Sequence, residues 1–405
     1  MSIWNRTQVR RLRHLVVTGG LLLSMVASPL LLHAQAGGAA DSGAGAAAKY
    51  LHFEFPADSP LRLVDTDWGR SRIVQRGSAA TAELHLVLRL ENRASQAIHG
   101  ITLLFVTQDF APGGKASITL PGLRMAPGQT FPAKVDLRLL QPIAAGGQPR
   151  VSVRLDGVLF ADLSFRGENA LNSRRLLSAL ELEIQQDRRH VRELLRAGGR
   201  DALASEMREI LARREQSPRV DLQWARGGRT TSLPASEPVR FAFLHVPDSP
   251  LRPMEGTIRI AANEAVEPSI RVQNRSGREI RYAEIGWIIR DLEGREFYAG
   301  TLPASPKDFE LKPSGETLVK QDGVLRFSER RNVNGRMQDV PVRLGEMVGY
   351  VSQVQFADGS IWMPNRYQAS TPSAIRSLRL SPEQQRLASL YAREGLDAVV
   401  KDLQE

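Results

Sequence analysis

The sequence predicts a mainly β protein with α: two tandem Ig-like antiparallel β-sandwich repeats, each followed by a helical hairpin. Three observations lead there. Segments recur in the same order along both halves of the 405-residue chain, apolar residues alternate with period two inside each half, and leucine-rich stretches of helical spacing close each half.

The duplication is read directly from matched segments. "DSPLR" stands at 58–62 and again at 248–252. "LRLENRASQAI" (88–98) aligns with "IRVQNRSGREI" (270–280), which sets Asn92–Arg93 against Asn274–Arg275. "LRMAPGQTF" (123–131) answers "FELKPSGETL" (309–318), and "VLFADLSFRGEN" (158–169) answers "VQFADGSIWMPN" (354–365). "LLRAGGRDALASEM" (194–207) matches "LYAREGLDAVVKDL" (390–403). Phe160 and Phe356 are 196 residues apart, as are Asp201 and Asp397, so no net insertion separates the last strand from the last helix in either copy. The repeats are expected at 50–216 and 237–405, each a sandwich plus helices, with a linker at 217–236 rich in Pro, Gly, Ser and Thr.

Within a repeat the strands follow from alternation. In "AELHLVLRL", Ala82, Leu84, Leu86, Leu88 and Leu90 share one face, and Glu83, His85, Arg89 and Glu91 share the other. "KVDLRL" and "VSVRLDG" behave alike, as do Ile270 and Val272 in the second copy. Such alternation belongs to antiparallel sheets with one wet face. Asp358–Gly359 suits a tight hairpin, and "PGGKAS" (112–117) reads as a hairpin tip. The helices follow from leucine spacing over 171–195, a stop at Gly198–Gly199 and a cap at Asp201 for a second helix reaching about Arg214. Ser381-Pro382-Glu383-Gln384 supplies an N-cap, a proline at N1 and a glutamine at N3; Gly395 ends that helix and "LDAVVKDLQ" forms the last.

Residues 1–36 carry an address. "MSIWNRTQVRRLRH" has four arginines and no acid, an apolar run follows, and "AQA" ends at Ala36, the pattern of a cleaved signal peptide. An uncleaved anchor is the alternative, since the run is long enough to span a bilayer. Arg10–Arg11 gives little sign of a twin-arginine route, because Arg13 and His14 stand where apolar residues belong. Residues 37–49 form a small-residue flexible tether. The chain has no cysteine, which excludes a lipobox, disulfides, thiolate metal sites and thiol nucleophiles. Export without disulfides points to the periplasm or surface of a Gram-negative bacterium. The formal charge of +10 falls to +6 without residues 1–36, a mild surplus that suits a solvated surface or contact with an anionic envelope polymer.

Residues 268–327 carry a resemblance. A strand ends in Asn274-Arg275-Ser276-Gly277, a second strand holds Ile280, Ile285 and Trp287, Asp291 and Gly294 frame a turn, and "LKPSGE" precedes another strand. This segment resembles the bacterial extracytoplasmic Ig-like modules of the FxLYD kind, although the FxLYD signature itself is absent and "IIRDLEG" (288–294) stands near its place. The first repeat departs further, with "NRASQ" and "TQDFAPGG" at the corresponding turns. The resemblance implies an extracytoplasmic, non-enzymatic β-sandwich and carries over no catalytic residue.

A search for chemistry returns little. The histidines beyond the signal are His52, His85, His99, His190 and His245, and none has zinc-ligand spacing. No nucleophile elbow or phosphate loop is present. Asp65 and Asp67 in "DTDWG" flank a turn but lack the further oxygens of a calcium loop. No cofactor and no metal are expected. The repeated polar residues, Asp58, Arg62, Asn92, Arg93, Asp162 and Asn169 with Asp248, Arg252, Asn274, Arg275, Asp358 and Asn365, read either as paired docking sites or as turns and caps. For docking, Asp58, Arg62, Asp248 and Arg252 are the candidate binding residues. Arg89, Arg138, Arg154 and Arg271 stud outward strand positions and suit an acidic partner. Nucleic acid is not expected, given export and the lack of interleaved aromatics. Membrane contact is expected only through the signal segment, if it stays uncleaved.

The expectation is a non-catalytic exported binding or scaffolding protein of the cell envelope, with another envelope protein or an anionic envelope polymer as partner. A hydrolase or carbohydrate-active enzyme, with acids such as Asp65 and Asp67 facing a third across a cleft between repeats, is one alternative. A periplasmic chaperone for exported subunits is the other.

Overall fold

Strand content is 51% against 22% helix, spread over several sheets. The computed structural model describes residues 50–76, 79–107, 114–142, 150–216, 220–225, 237–303, 309–320, 324–368 and 379–404. The expected signal segment 1–36 and tether 37–49 lie outside the described residues, as do 217–219 and 226–236 of the expected linker and part of the hairpin tip at 112–117. The chain divides into two compact units, residues 1–177 and 178–405.

The first unit holds β1 (Leu51–Glu54), β2 (Leu61–Asp67), β3 (Arg72–Arg76), β4 (Ala79–Asn92), β5 (Ile98–Val106), β6 (Lys115–Met125), β7 (Thr130–Pro142), β8 (Val151–Phe160) and β9 (Phe165–Arg166). β4 organises one sheet, with β7 along one side and β3 then β2 along the other, all antiparallel. The second sheet runs β1-β8-β5-β6, with β9 added to β8 and β1 parallel to β8. Leu84, Leu86, Leu88 and Leu90 from β4 join Ile101, Leu103, Phe105, Val153 and Val158 from the other sheet in one apolar core. β4 alternates as the sequence predicts, its outward Glu83 paired with Arg72.

β5 and β8 do not keep a wet face. Nearly every residue of both strands is buried. Leu177 lies so close over Gly100 that a Cβ there would stand 2.7 Å from its Cδ2. The sequence sign of this is the unbroken run "ITLLFV" (101–106), because a strand covered on both faces has no polar side to alternate.

The second unit holds β10 (Val220–Ala225), β11 (Val239–Arg240), β12 (Ala242–Phe243), β13 (Leu251–Ala261), β14 (Glu264–Asn274), β15 (Ile280–Asp291), β16 (Glu296–Pro303), β17 (Glu316–Lys320), β18 (Val324–Val333), β19 (Arg336–Pro341), β20 (Leu344–Phe356) and β21 (Ile361–Trp362). One sheet runs β10-β18-β14-β13-β11, with β17 on β14 and β19 on β18; the other runs β12-β20-β15-β16, with β21 on β20. β10 falls inside the stretch expected as linker, where "VDLQWA" carries its own period-two pattern. Several strand pairings of the two units share a register, although β15–β20 and β13–β14 each carry one further slip. Ile98 faces Phe160 as Ile280 faces Phe356, and both strand pairs slip at the two corresponding places along their length. β1 is parallel to β8 as β12 is to β20. β2 and β13 each slip at their third residue, leaving Val64 and Met254 exposed.

Among the described residues there are three helices: α1 (Ser173–Gln216), α2 (Pro382–Glu394) and α3 (Leu396–Gln404). α1 breaks at Gly199, whose φ of 66° is a left-handed conformation open to glycine. Asp201 therefore sits in the first turn after the break, not at the cap. From residue 178 onward α1 counts with the second unit, where Val191, Leu203, Met207 and Ile210 pack with Leu387, Ala388, Val399 and Leu403. Ser381 caps α2 through a full capping box with Gln384. None of these helices is long and apolar enough to cross a membrane.

Both copies close on the same buried asparagine. The Asn92 amide donates to the carbonyls of Gln96 and Met125, both at 2.9 Å, while its oxygen accepts from the Ala94 N–H. The Asn274 amide donates to the carbonyls of Arg278, Leu311 and Lys312, and its oxygen accepts from the Ser276 N–H and hydroxyl. The next residue in each copy, Arg93 or Arg275, donates its N–H to the carbonyl of Pro60 or Pro250, in the middle of "DSPLR". The pentapeptide opens with a turn, Ser59 N–H to Pro56 carbonyl and Ser249 N–H to Val246 carbonyl, and its fourth residue, the buried Leu61 or Leu251, starts a strand. Asn274→Ala removes five hydrogen bonds at a buried corner, although each of the three carbonyls keeps a second donor, from Ile280, Gly315 or Ser276; it is expected to cost about 1–3 kcal/mol in urea unfolding, against under about 0.5 kcal/mol for the exposed Asp58→Ala.

Candidate functional site

The four residues singled out for docking do not share a role. Asp58 is exposed and ion-paired with Arg166, and Arg62 pairs with Glu91 across the β2–β4 ladder. Arg252 is exposed at the start of β13, opposite Gln273. Asp248 alone lines a cleft. The "DSPLR" backbone is thus a corner in both copies, while its charged side chains go different ways.

The cleft has a volume of about 240 Å³. One wall is a stripe of α1, Leu182, Gln185, Gln186 and Arg189, whose spacing of three and four residues sets them on a single helix face. The other wall comes from Asp248 and from β21 and its continuation, with Trp362, Met363, Asn365 and Gln368. Asn365 is held in place by a turn, its Oδ1 accepting from the Tyr367 N–H at 3.0 Å. Trp362 is half-buried, its ring packed against the β core on one side. The cleft therefore offers carboxamides, one acid, one guanidinium and an indole, a set able to bind a polar ligand but without a nucleophile–base pair.

Behind this stripe, the neighbouring residues of α1 enter a buried polar network. Asp187 is fully buried and accepts from the hydroxyls of Tyr367, at 2.8 Å, and Ser381. Arg366 pairs with Glu183 and donates to the Arg379 carbonyl and to Gln384. Arg188, also buried, bridges Glu383 and Asp402, and Arg386 joins the same two acids. His190 stacks on Tyr367 with ring centroids 3.7 Å apart. Burial lifts the carboxyls of Asp187 and Glu183 above their ordinary range, against the pull of Arg366. Asp402 moves down, because Arg386 and Arg188 outweigh its burial. Sequence reasoning passed over this network. Its trace is Glu183 and Asp187 one turn apart, on an α1 face that also carries Leu180, Ile184 and Val191.

The remaining expected chemistry is local. Asp65 and Asp67 accept from the nearby backbone N–H groups of Thr66 and Gly69, at 2.8 and 3.0 Å. Asp162 and Asp358 each hold a hairpin by accepting from the Ser164 and Ser360 N–H; the Ser164 hydroxyl and then its N–H keep the Asp162 carboxyl below its ordinary value, and the Ser360 N–H and hydroxyl do the same for Asp358. His85 lies 3.0 Å from Asp136. Arg154 pairs with Glu54, and Arg138 reaches Glu83 at 4.0 Å, so the arginine-studded faces are partly neutralised. Among the described residues no group of three or more His, Asp or Glu is placed to hold a metal ion.

No protein-family model matches the chain, and no curated protein matches it. Among solved structures it is similar to red sea bream transglutaminase, at 8% identity over 73% of this chain and 31% of that one, with a TM-score of 0.13. It is similar to a β-glucosidase from Kluyveromyces marxianus at 9% identity over 70% and 45%, with a TM-score of 0.17, and to pT26-6p at 8% identity over 84% and 73%, with a TM-score of 0.13. The chain spans about a third of the transglutaminase and under half of the β-glucosidase. At these TM-scores the likenesses carry no argument about fold or activity.

Because burial raises the folded-state pKa of Asp187, the folded chain holds that proton more tightly than the unfolded chain does. Its ionisation therefore subtracts stability as pH rises from its unfolded value near 4 through the folded pKa. Asp187→Asn removes that charge and keeps a hydrogen-bonding oxygen, so its stability relative to the parent should rise as pH climbs from about 4 towards neutrality. Asp187→Ala, which strands the Tyr367 and Ser381 hydroxyls, should cost about 2–4 kcal/mol. Urea unfolding at stepped pH checks both.

Proposed function

We propose that this is a non-catalytic, exported binding or scaffolding protein of a Gram-negative cell envelope. In this reading it is built from two Ig-like antiparallel sandwiches, each followed by a helical hairpin. The observation that carries the functional part is where the repeated polar residues go. Asn92 and Asn274 close corners, Asp162 and Asp358 hold hairpins, and Ser59 and Ser249 make turns. These six matched residues are thus engaged in the frame, while Asp248 and Asn365 line the cleft. A glycoside hydrolase needs two carboxyl groups about 5–10 Å apart across one cleft, whereas Asp248 is the single acid lining the cleft described above.

The Ig-like reading draws support from two sheets sharing one core in each unit and from the parallel first strand. The three turns behind the FxLYD-like resemblance lie between strands: the Asn274 corner, the turn closed by Gly294 N–H to Asp291 carbonyl, and the one closed by Gly315 N–H to Lys312 carbonyl. Export rests on residues 1–36.

Expression in a Gram-negative host with a C-terminal tag tests the reading. The expected product starts at Gly37, leaves the cell with the osmotic-shock or surface fraction, and co-sediments with isolated envelope material. A full-length chain retained in the cytoplasm, or purified protein that turns over envelope glycan, overturns it.

A further inference from the structure

The two copies differ at one position that changes what their corner can do. β9 and β21 join their neighbours in the same register, Val158 opposite Arg166 and Val354 opposite Trp362. Asp58 and Asp248 stand at the same step of the repeated turn. In the first unit Asp58 is neutralised by Arg166. In the second, tryptophan occupies the arginine's place, and among the described residues Asp248 has no ion-pair partner. Asp248 instead lines the cleft together with that tryptophan.

We propose that this cleft binds a single neutral sugar residue of a glycan. The proposal rests on the binding reading above and deepens it. Trp362 offers a rigid apolar surface with an N–H at its edge, and a pyranose ring presents a matching C–H face. Gln186 carries two donors and an acceptor, Gln185 keeps its acceptor oxygen and one donor beside its bond to Glu181, and Asp248 adds acceptors, the groups that adjacent hydroxyls require. Arg189 balances Asp248, so the lining has no net charge to select an ion. The same guanidinium disfavours an ammonium ligand, which the acid and indole alone would otherwise suit. A volume of about 240 Å³ lies below the range of about 300–1,000 Å³ for drug-sized ligands, which matches one ring better than a nucleotide-sized cofactor.

The test is retention of the mature chain on an array of neutral oligosaccharides ending in hexose, deoxyhexose or N-acetylhexosamine, followed by calorimetric titration with the best glycan. At least one terminal sugar class is expected to bind. Asp248→Ala, at an exposed site, should weaken binding at least tenfold with an unchanged melting temperature. Trp362→Phe should retain part of the affinity. Trp362→Arg recreates the pairing of the first unit and should abolish binding, while Asp58→Ala leaves it intact. The proposal is overturned if no neutral glycan is retained, if Asp248→Ala binds as well as the parent, or if tetramethylammonium chloride binds the cleft and the glycans do not. A chain that is exported and co-sediments with envelope but retains no glycan would sink only the sugar assignment. A cytoplasmic chain that binds glycan would sink only the envelope reading.

Discussion

Each β unit depends on one buried asparagine side chain. Asn92 and Asn274 end the central strand of a sheet, and from there a single carboxamide holds the following turn and a carbonyl of a more distant segment, that of Met125 at the end of β6 or of Leu311. The backbone N–H one residue on reaches the proline of the recurring pentapeptide. Three stretches far apart in sequence are thus fixed at one point. The strand registers start there, with Leu61 opposite Asn92 and Leu251 opposite Asn274. A carboxamide suits this position because it supplies two donors and an acceptor in one plane, and in a dry interior each unmet group would carry its full desolvation cost.

Covering a second sheet face imposes a different chemistry. In the second unit Tyr350 lies flat across Gly286, where any Cβ would stand 2.3 Å from the ring. Around it, Val246, Ile288, Tyr298 and Trp362 form a small second core. Burial lifts the Tyr298 hydroxyl pKa to about 12, so it stays a neutral donor. Further along α1 the contact with α2 and α3 is polar as well as apolar. Buried ion pairs such as Arg188–Glu383 are poor sources of net stability, since desolvation offsets their attraction, but an unpaired member is strongly unfavourable. Such a network favours one register of helix on helix over a slipped one, which a purely leucine contact tolerates more readily.

The second unit adds strands to one sheet, but at the corner itself the two units differ in side chains and keep the same backbone turns. The hairpin after β8 places Leu163 at a φ of 64°, and the equivalent position after β20 is Gly359 at 82°. The turn survives either residue because Asp162 or Asp358 holds it from within. The same tolerance let position 166 and its counterpart 362 become arginine and tryptophan without moving the strand register. A frame secured by backbone and asparagine hydrogen bonds leaves such surface positions open to change.

The sequence by itself determined the mainly β character, the half-buried strands and the helix punctuation. Those depend on local periods, caps and turns: the alternation of "AELHLVLRL", the Ser381 capping box and the break at Gly199 are visible within a few residues. It determined less about the strands covered on both faces. A run such as "ITLLFV" states that a segment is buried but not what covers it. Nor did it place residues 178–216 with the second unit, because a leucine stripe does not name its partner. The cleft was legible only in its parts. Asp248 stood out through repetition, whereas Trp362 and the α1 glutamines are ordinary residues, more than fifty apart in sequence from it or from one another. Only the tertiary structure decided that they share a wall, since side-chain convergence is set by packing between elements and leaves no period in the chain.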